Sequence, residues 1–332
     1  MFETPQFSAA LPEIFLLGLT CTVLFVDIFM TARTRIITYS LTQLSLIVLF
    51  VITLMTFAWD PILTFSGNYI ADSFSSLTKL VMIMLTFFVF VYSRSYIKCR
   101  NITGGEYYIL GLFSLLGMMV MVSSHSFISL YLGTELLSLP LYAMVALRRE
   151  SALSSEASLK YFVTGAIASG MLLYGLSLLY GATGSLELTA VSEHLVATDK
   201  VAIFGMVFVV TGLLFKLGAV PFHMWVPDVY HGAPSTVTAF ITGAPKIAAL
   251  AIMYRLLVQG MPSLMDSWQQ LLIVVAILSM FFGNLLAIAQ ANVKRMFAYS
   301  SIAHMGYMLL GVIAATPEGY AAALLYGIVY AV

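Results

Sequence analysis

The sequence predicts an all-α polytopic membrane protein, and three observations carry that prediction. First, 61% of the 332 residues are hydrophobic and only 9% are charged, whereas a soluble domain carries about 25% charge. Such a chain cannot present a wettable surface. Second, apolar windows long enough for a crossing helix recur along the whole chain with short connections between them. Third, Glu135, Lys216 and Lys246 stand deep inside those windows. A charge near the hydrocarbon centre costs at least ~2.5–3.5 kcal/mol, so three of them imply pairing, a hydrated interior or ion movement.

Taken in order, the windows fall at 10–30, 38–58, 75–93, 107–123, 125–147, 161–180, 201–229, 234–257, 270–291 and 296–315. An eleventh opens near Tyr320, giving about 10–11 helices in one bundle. The first eleven residues hold Glu3 and no Lys or Arg, so they lack the basic region of a cleaved signal peptide and the first helix is expected to stay. Orientation follows from the basic residues. One set of alternate loops holds Arg33, Arg35, Arg94, Lys98, Arg100, Arg148, Arg149, Lys160, Lys294 and Arg295, most of the 15 Lys and Arg in the chain. The opposite loops hold Lys200, with Arg255 at a helix end, against Asp60, Asp72, Glu187, Glu193, Asp199, Asp266 and Glu318. The positive-inside rule places the first set in the cytoplasm and the N-terminus outside.

The 201–229 window is too long for one straight crossing and reads Phe215-Lys216-Leu217-Gly218-Ala219-Val220-Pro221. Proline lacks the backbone donor and clashes with the preceding turn, so a break is predicted near residues 218–221. Broken helices persist at membrane depth only where protein buries them or water reaches them, and transporters use them as ion sites. Lys216 then occupies the last turn of a half-helix, whose negative end favours a cation. Lys246 lies twelve residues after the helix-starting Pro234, or ~18 Å along a helix, too deep to snorkel. It is read as a proton relay, with a structural lysine paired to a carboxylate as the alternative. Glu135 lies ~12 Å into its own span. Lys216 is its expected partner, because each would otherwise be a lone buried charge; a plain packing ion pair is the other reading.

The remaining ionisable groups are more equivocal. His304, eight residues into its span, and His223, beside the break, are candidate relays, and a neutral core histidine is the alternative for each. His231 ends the second half-helix, and His125 and His194 fall in outer loops without an assigned role. Lys79, about one turn inside its helix, could snorkel. Glu13 and Asp27 are expected at the interface, Asp27 with the option of a neighbouring subunit as partner. Ser138, Thr211, Thr242, Tyr299, Ser300 and Ser301 could hydrate a channel or join helices. Cys21 and Cys99 belong at different depths, so no disulfide is expected, and neither sits at metal-ligand spacing. There is no Gly-rich phosphate loop, no iron–sulfur cysteine cluster and no basic patch for nucleic acid.

Several long runs resemble one family. The stretch from Phe215-Lys216 through Pro221-Phe222-His223-Met224-Trp225-Val226-Pro227-Asp228-Val229-Tyr230-His231-Gly232-Ala233-Pro234 to Ala244-Pro245-Lys246 is similar to the central signature of the antiporter-like subunits of respiratory complex I. Tyr131 to Leu141 around Glu135, and Lys294-Arg295-Met296-Phe297-Ala298-Tyr299-Ser300-Ser301-Ile302-Ala303-His304, match as well. The likeness covers essentially the whole chain.

The resemblance implies a fourteen-helix fold with two inverted five-helix repeats, each containing a broken helix. It assigns Glu135 and Lys216 to the charge pair of a half-channel and Lys246 to passing protons toward the membrane centre. It divides the chain into an N-terminal three-helix segment at 1–106, a first repeat with the half-channel at 107–260 and the start of a second repeat at 261–332. It also implies a bacterial inner-membrane location. Neighbouring antiporter-like and small membrane-arm subunits, together with the lipid bilayer, are the expected partners, and nucleic acid is not. FMN, iron–sulfur clusters and quinone are implied in other subunits of the complex, with no cofactor bound here. Family members carry further helices, including a second broken one with its own lysine, so the gene is expected to continue beyond Val332 by roughly 100–160 residues, at ~20 apolar residues per span. A cation/proton antiporter subunit and a structural membrane-arm scaffold are the rival readings.

Overall fold

The computed structural model describes residues 4–31, 34–100, 102 and 105–332. Glu3 and Arg33, used above for the N-terminus and the orientation, lie outside them. The helices are α1 (Leu11–Ile28), α2 (Ile36–Met55), α3 (Ser73–Cys99), α4 (Glu106–Val122), α5 (Phe127–Val145), α6 (Ala152–Thr183), α7 (Leu188–His194) and α8 (Lys200–Leu217). They continue with α9 (Trp225–Gly232), α10 (Ser235–Thr242), α11 (Ala244–Met253), α12 (Met265–Ile288), α13 (Val293–Ile313) and α14 (Pro317–Ala331). Among the described residues nine helical segments are long and apolar enough to cross a membrane, and α4 is a shorter apolar helix. Side chains such as Phe25, Ile28, Ile277 and Phe281 are exposed on the outside of the helices, as a lipid-facing surface requires.

The chain forms two compact units. One comprises Met1–Ser151 and Pro234–Ala248, the other Ala152–Ala233 and Ala249–Val332. In the first unit α4 packs along α5, α1 lies on α2 and α4, and α3 contacts α2, α4 and α10. The α4–α5 approach depends on two glycines. A β-carbon at Gly117 would strike the backbone of Leu137, and one at Gly133 would meet the Met121 nitrogen at 2.7 Å. Small residues at such crossings let helix backbones touch and compensate for the missing hydrophobic drive in lipid. In the second unit α6 packs on α8 and α9, and α12 on α13, which also contacts α9 and α14.

Side-chain caps define several helix starts. Asp72 and Ser75 form a reciprocal capping box at α3, and Asp199 accepts from the Val201 amide at 2.8 Å at α8. Asn292 and Thr316 do the same at α13 and α14. Each such cap contributes about 1 kcal/mol.

Three features depart from the expected pattern. Helix α6 begins at Ala152 rather than 161, because its charged first turns are held by a Glu156–Lys160 pair four residues apart, at 2.8 Å; hydropathy alone does not detect such turns. A two-stranded hairpin, β1 (Ile62–Thr64) and β2 (Tyr69–Ala71), follows α2, where only a loop was expected. The 234–257 window is not one helix, since α10 and α11 are separated at Gly243, and α11 gives way to a π-helical turn, Tyr254–Gly260. Pro245 explains the first interruption, having no amide to donate and disfavouring the helical conformation before it.

Candidate functional site

The break after Lys216 is a Schellman-type helix end. Gly218 adopts φ 73°, its amide bonds to the Phe215 carbonyl at 2.9 Å, and the Ala219 amide reaches the Leu214 carbonyl at 3.0 Å. Glycine takes this left-handed position without the β-carbon penalty other residues incur. Other groups complete the polar accounting of the break. The Val220 amide donates to Ser279 Oγ on α12 at 2.9 Å, and Trp225 Nε1 donates to the Phe215 carbonyl at 3.0 Å. Tyr161 of α6 stacks on Trp225 at 4.6 Å. The interruption predicted at residues 218–221 is therefore present and satisfied by protein groups. Lys216, half-buried, sits in the last turn of α8.

The short helix α9 is fixed by charge. Asp228 accepts from Arg295 Nη1 at 2.7 Å and from Lys160 Nζ at 2.9 Å. Its neighbours add Asn292 Nδ2 to His231 Nε2 at 3.2 Å and Lys294 Nζ to the Ala233 carbonyl at 2.9 Å. The basic residues counted above only for orientation thus also clamp the second half-helix to α6 and α13. Sequence reasoning gives Asp228 no role, although it lies inside the signature run, because one acid among apolar residues does not reveal which distant cations reach it.

Lys246 is 2% exposed. It is the third residue of α11, just past the Gly243 interruption, and its amide bonds back to the Gly243 carbonyl at 3.0 Å. This corrects the expectation of a lysine midway along an unbroken helix. Lys246 stands at a half-helix start, and Lys216 at a half-helix end.

Glu135 lies on α5, half-buried, with Oε1 enclosed and lacking a hydrogen-bond donor among the described residues. Tyr131 and Tyr142 are close enough to act on it electrostatically. Pro140 inside the continuous helix α5 has no amide to donate to the Leu136 carbonyl, next to Glu135. Ser114 Oγ donates to the neighbouring Leu137 carbonyl at 3.3 Å. Glu135 and Lys246 belong to the first unit, and Lys216, His223 and His304 to the second.

His304 contacts the Tyr326 hydroxyl through Nδ1 at 2.7 Å, with the Tyr307 and Tyr330 rings beside it. His223 lies in the turn between α8 and α9, half-buried, its Nδ1 lacking a hydrogen-bond partner among the described residues. Four further ionisable groups are enclosed by protein. Glu13 and Lys79 are buried, at 6% and 3% exposure, and paired at 2.6 Å, so Lys79 does not snorkel. His125 lies in the connection between α4 and α5, as expected, and is buried there, and Arg255 is fully buried in the π-helical turn at the end of its helical segment. Asp27 accepts from Thr38 Oγ1 at 2.6 Å within the chain. Cys21 and Cys99 are free and exposed, and no group of three His, Cys, Asp or Glu among the described residues could hold a metal ion.

Membrane-length helical segments among the described residues, one of them ending at a glycine-capped break, define a polytopic helical membrane protein. Comparison with known proteins agrees. Residues 124–332 match the family described as NADH:quinone oxidoreductase/Mrp antiporter, TM. NADH-quinone oxidoreductase subunit N of Thioalkalivibrio sulfidiphilus is 54% identical over 335 residues, covering 100% of this chain and 70% of that protein. A chain of respiratory complex I from Thermus thermophilus is 31% identical, with a TM-score of 0.79 over 97% of this chain and 70% of its own. A chain of the membrane-bound sulfane sulfur reductase, an archaeal respiratory complex, superposes with a TM-score of 0.86 at 27% identity, covering 97% of this chain and 68% of its own. This chain belongs to the NADH:quinone oxidoreductase/Mrp antiporter transmembrane family, in its subunit N branch.

Proposed function

We propose that this chain is a membrane-arm subunit of a proton-pumping NADH:quinone oxidoreductase, carrying a proton pathway through Glu135, Lys216 and Lys246 that quinone reduction elsewhere in the complex drives. The observation that carries the residue assignment is the pair of interrupted helices with a lysine at each break. Half-helix ends put uncancelled backbone charge at membrane depth and create local ion sites. An ammonium beside such an end has two protonation states whose balance a nearby charge can tip. Glu135 supplies that charge. Its opening and closing with Lys216 shifts the lysine's proton affinity, and the proton passes on to Lys246. His304 with Tyr326, and His223 at the break, are the groups that extend the path.

The redox chemistry lies in other subunits, which hold FMN, iron–sulfur clusters and quinone, and this chain binds none of them. Neighbouring antiporter-like and small membrane-arm subunits pack against it. It resides in the bacterial inner membrane with its N-terminus outside. Residues 107–260 make up the first repeat and 261–332 begin the second. The family description also covers Mrp antiporters, but the 54% identity to a subunit N favours the oxidoreductase.

A double-mutant cycle in the assembled complex tests the pathway. Glu135→Ala and Lys216→Ala should each cut NADH-driven proton uptake by vesicles, and the double variant should lose less than the sum, because one unpaired buried charge costs more than none. Strictly additive losses would show that the two are not partners. Full pumping by both single variants would remove them from the pathway.

A further inference from the structure

The first unit holds a second buried cluster, which the pathway above does not use. Glu13 on α1 and Lys79 on α3 pair at 2.6 Å. The Tyr69 hydroxyl of β2 donates to Glu13 Oε2 at 2.9 Å and accepts from Lys79 Nζ at 2.9 Å. Burial, outweighing the neighbouring ammonium, pushes the Tyr69 phenol up to about 12, so it keeps its proton and remains a donor. A buried ion pair fixes geometry strictly, since any shift that separates the charges strands both in a medium that cannot solvate them.

Tyr69 is also where the hairpin meets the beginning of α5. The Ile70 amide donates to the Ser123 carbonyl at 2.8 Å, and Tyr69 bridges Ser124. The Asn68 carbonyl accepts from the His125 amide at 3.1 Å and from Ser129 Oγ at 2.9 Å. Ser126 then caps α5. The hairpin turn holds two non-glycine residues, Phe65 and Ser66, at φ 54°, a conformation that persists only where surrounding contacts impose it. Phe7 packs on Phe65, and the Gln6 amide bonds Thr64. Glu135 follows Ser126 by nine residues on the same helix, ~14 Å along its axis.

We propose that Glu13, Lys79 and Tyr69 form a positioning device that sets the height and rotation of α5, and through it the place of Glu135. The device rests on the proton-pathway reading only for its consequence; its geometry is read independently. Lys79 fixes Tyr69 between α1 and α3, the hairpin transmits that position to residues 123–129, and the Gly117 and Gly133 contacts keep α5 from sliding on α4. Glu13, Lys79 and Tyr69 are positioning residues and take no proton themselves.

The test uses the intact complex in native membranes and two readouts. A hydrophobic carbodiimide reacts with protonated carboxyls in apolar surroundings, and its labelling rate at Glu135, followed by mass spectrometry, reports that residue's setting without reference to pumping. Lys79→Met should change this rate by about threefold or more, as small misplacements do at sites that depend on orientation. Proton uptake per NADH oxidised should fall while the apparent KM for NADH stays constant. The charge-exchanged variant Glu13→Lys/Lys79→Glu should return both readouts toward wild type, which a general packing defect would not do. If Lys79→Met fails to assemble, Tyr69→Phe, which keeps the ion pair, carries the test with a smaller change in the same direction. Wild-type labelling in an assembled Lys79→Met or Tyr69→Phe complex would overturn the proposal. Normal pumping by Glu135→Gln would instead refute the pathway reading and leave the labelling result standing.

Discussion

Lys216 and Lys246 both stand where a helix is interrupted, yet the two interruptions are built differently. At Lys216 the helix stops. Gly218 turns the chain, Trp225 and Ser279 satisfy freed polar groups, and the next half-helix begins only at Trp225. At Lys246 the helix hesitates for one residue at Gly243 and resumes, with Pro245 leaving a gap in the hydrogen-bond ladder. Lys216 therefore faces the carbonyl end of α8, where a cation gains about 0.3–1 kcal/mol, whereas Lys246 faces the amide start of α11, where the same charge is opposed by a similar amount. Exposure differs in the same sense, half-buried at Lys216 and 2% at Lys246.

The largest effect that separates the two is the response to arginine. Arginine keeps its proton under almost all conditions and needs more donors satisfied than lysine. Lys246→Arg should lower proton pumping by about tenfold or more, approaching Lys246→Ala, because arginine keeps its proton where a relay must release it. Lys216→Arg should also impair pumping, because arginine cannot release its proton, but by several-fold less than Lys246→Arg, since a helix C-terminus tolerates the fixed charge. Measured in the same vesicles, equal losses at both sites would show that helix polarity does not distinguish them.

The second effect concerns the stop itself. Gly218→Ala places a β-carbon at φ 73°, a conformation that costs an L-residue roughly 1–2 kcal/mol. Lys216 then shifts with the last turn. Pumping should fall several-fold with the complex still assembled, and its thermal inactivation midpoint should drop by a few degrees. A Gly218→Ala complex indistinguishable from wild type in both would mean that the left-handed turn is incidental.

The break at residues 218–221 is legible in the sequence because glycine and proline at that spacing have few other uses, and the crossing helices because lipid demands apolar length. The start of α6 is not, because its first turns are held by Glu156 and Lys160, which hydropathy scores as loop. The Gly243 interruption escapes notice although Pro245 stands eleven residues past the expected start at Pro234, where the rule applied at Pro221 also predicts a gap. Glu13 and Lys79 read as surface residues when each is judged by its distance from a helix end. Their pairing joins α1 to α3 across α2 and the hairpin, and no periodicity carries that information. Asp228 is obscure for the same reason, its partners lying 68 and 67 residues away.

The smallest effect sharpens the comparison from the far side of the first break. If α8 ends in a rigid stop, α9 must be held in place by something other than a continuous helix, and Asp228 is the residue that holds it, accepting from Arg295 and Lys160 at once. Both bonds are partly exposed, with side-chain exposures of 31% for Asp228, 31% for Arg295 and 46% for Lys160, so solvent and salt screen them and neither contributes much alone. Asp228→Asn keeps the shape and removes the charge. Proton uptake should fall by roughly twofold, with the deficit larger at low ionic strength, where the wild-type pairs are stronger. Arg295→Met should reproduce more of that loss than Lys160→Met. The Lys160 side chain is shared with Glu156 at 2.8 Å, whereas Arg295 has neutral groups as its other partners, Gln290 at 3.3 Å and Tyr299. The Asp228→Asn/Arg295→Met double variant should be little worse than either single variant, as expected for two groups acting as one contact. A twofold loss from Lys160→Met with none from Arg295→Met would reverse the assignment and place the anchor of α9 on α6 rather than on α13.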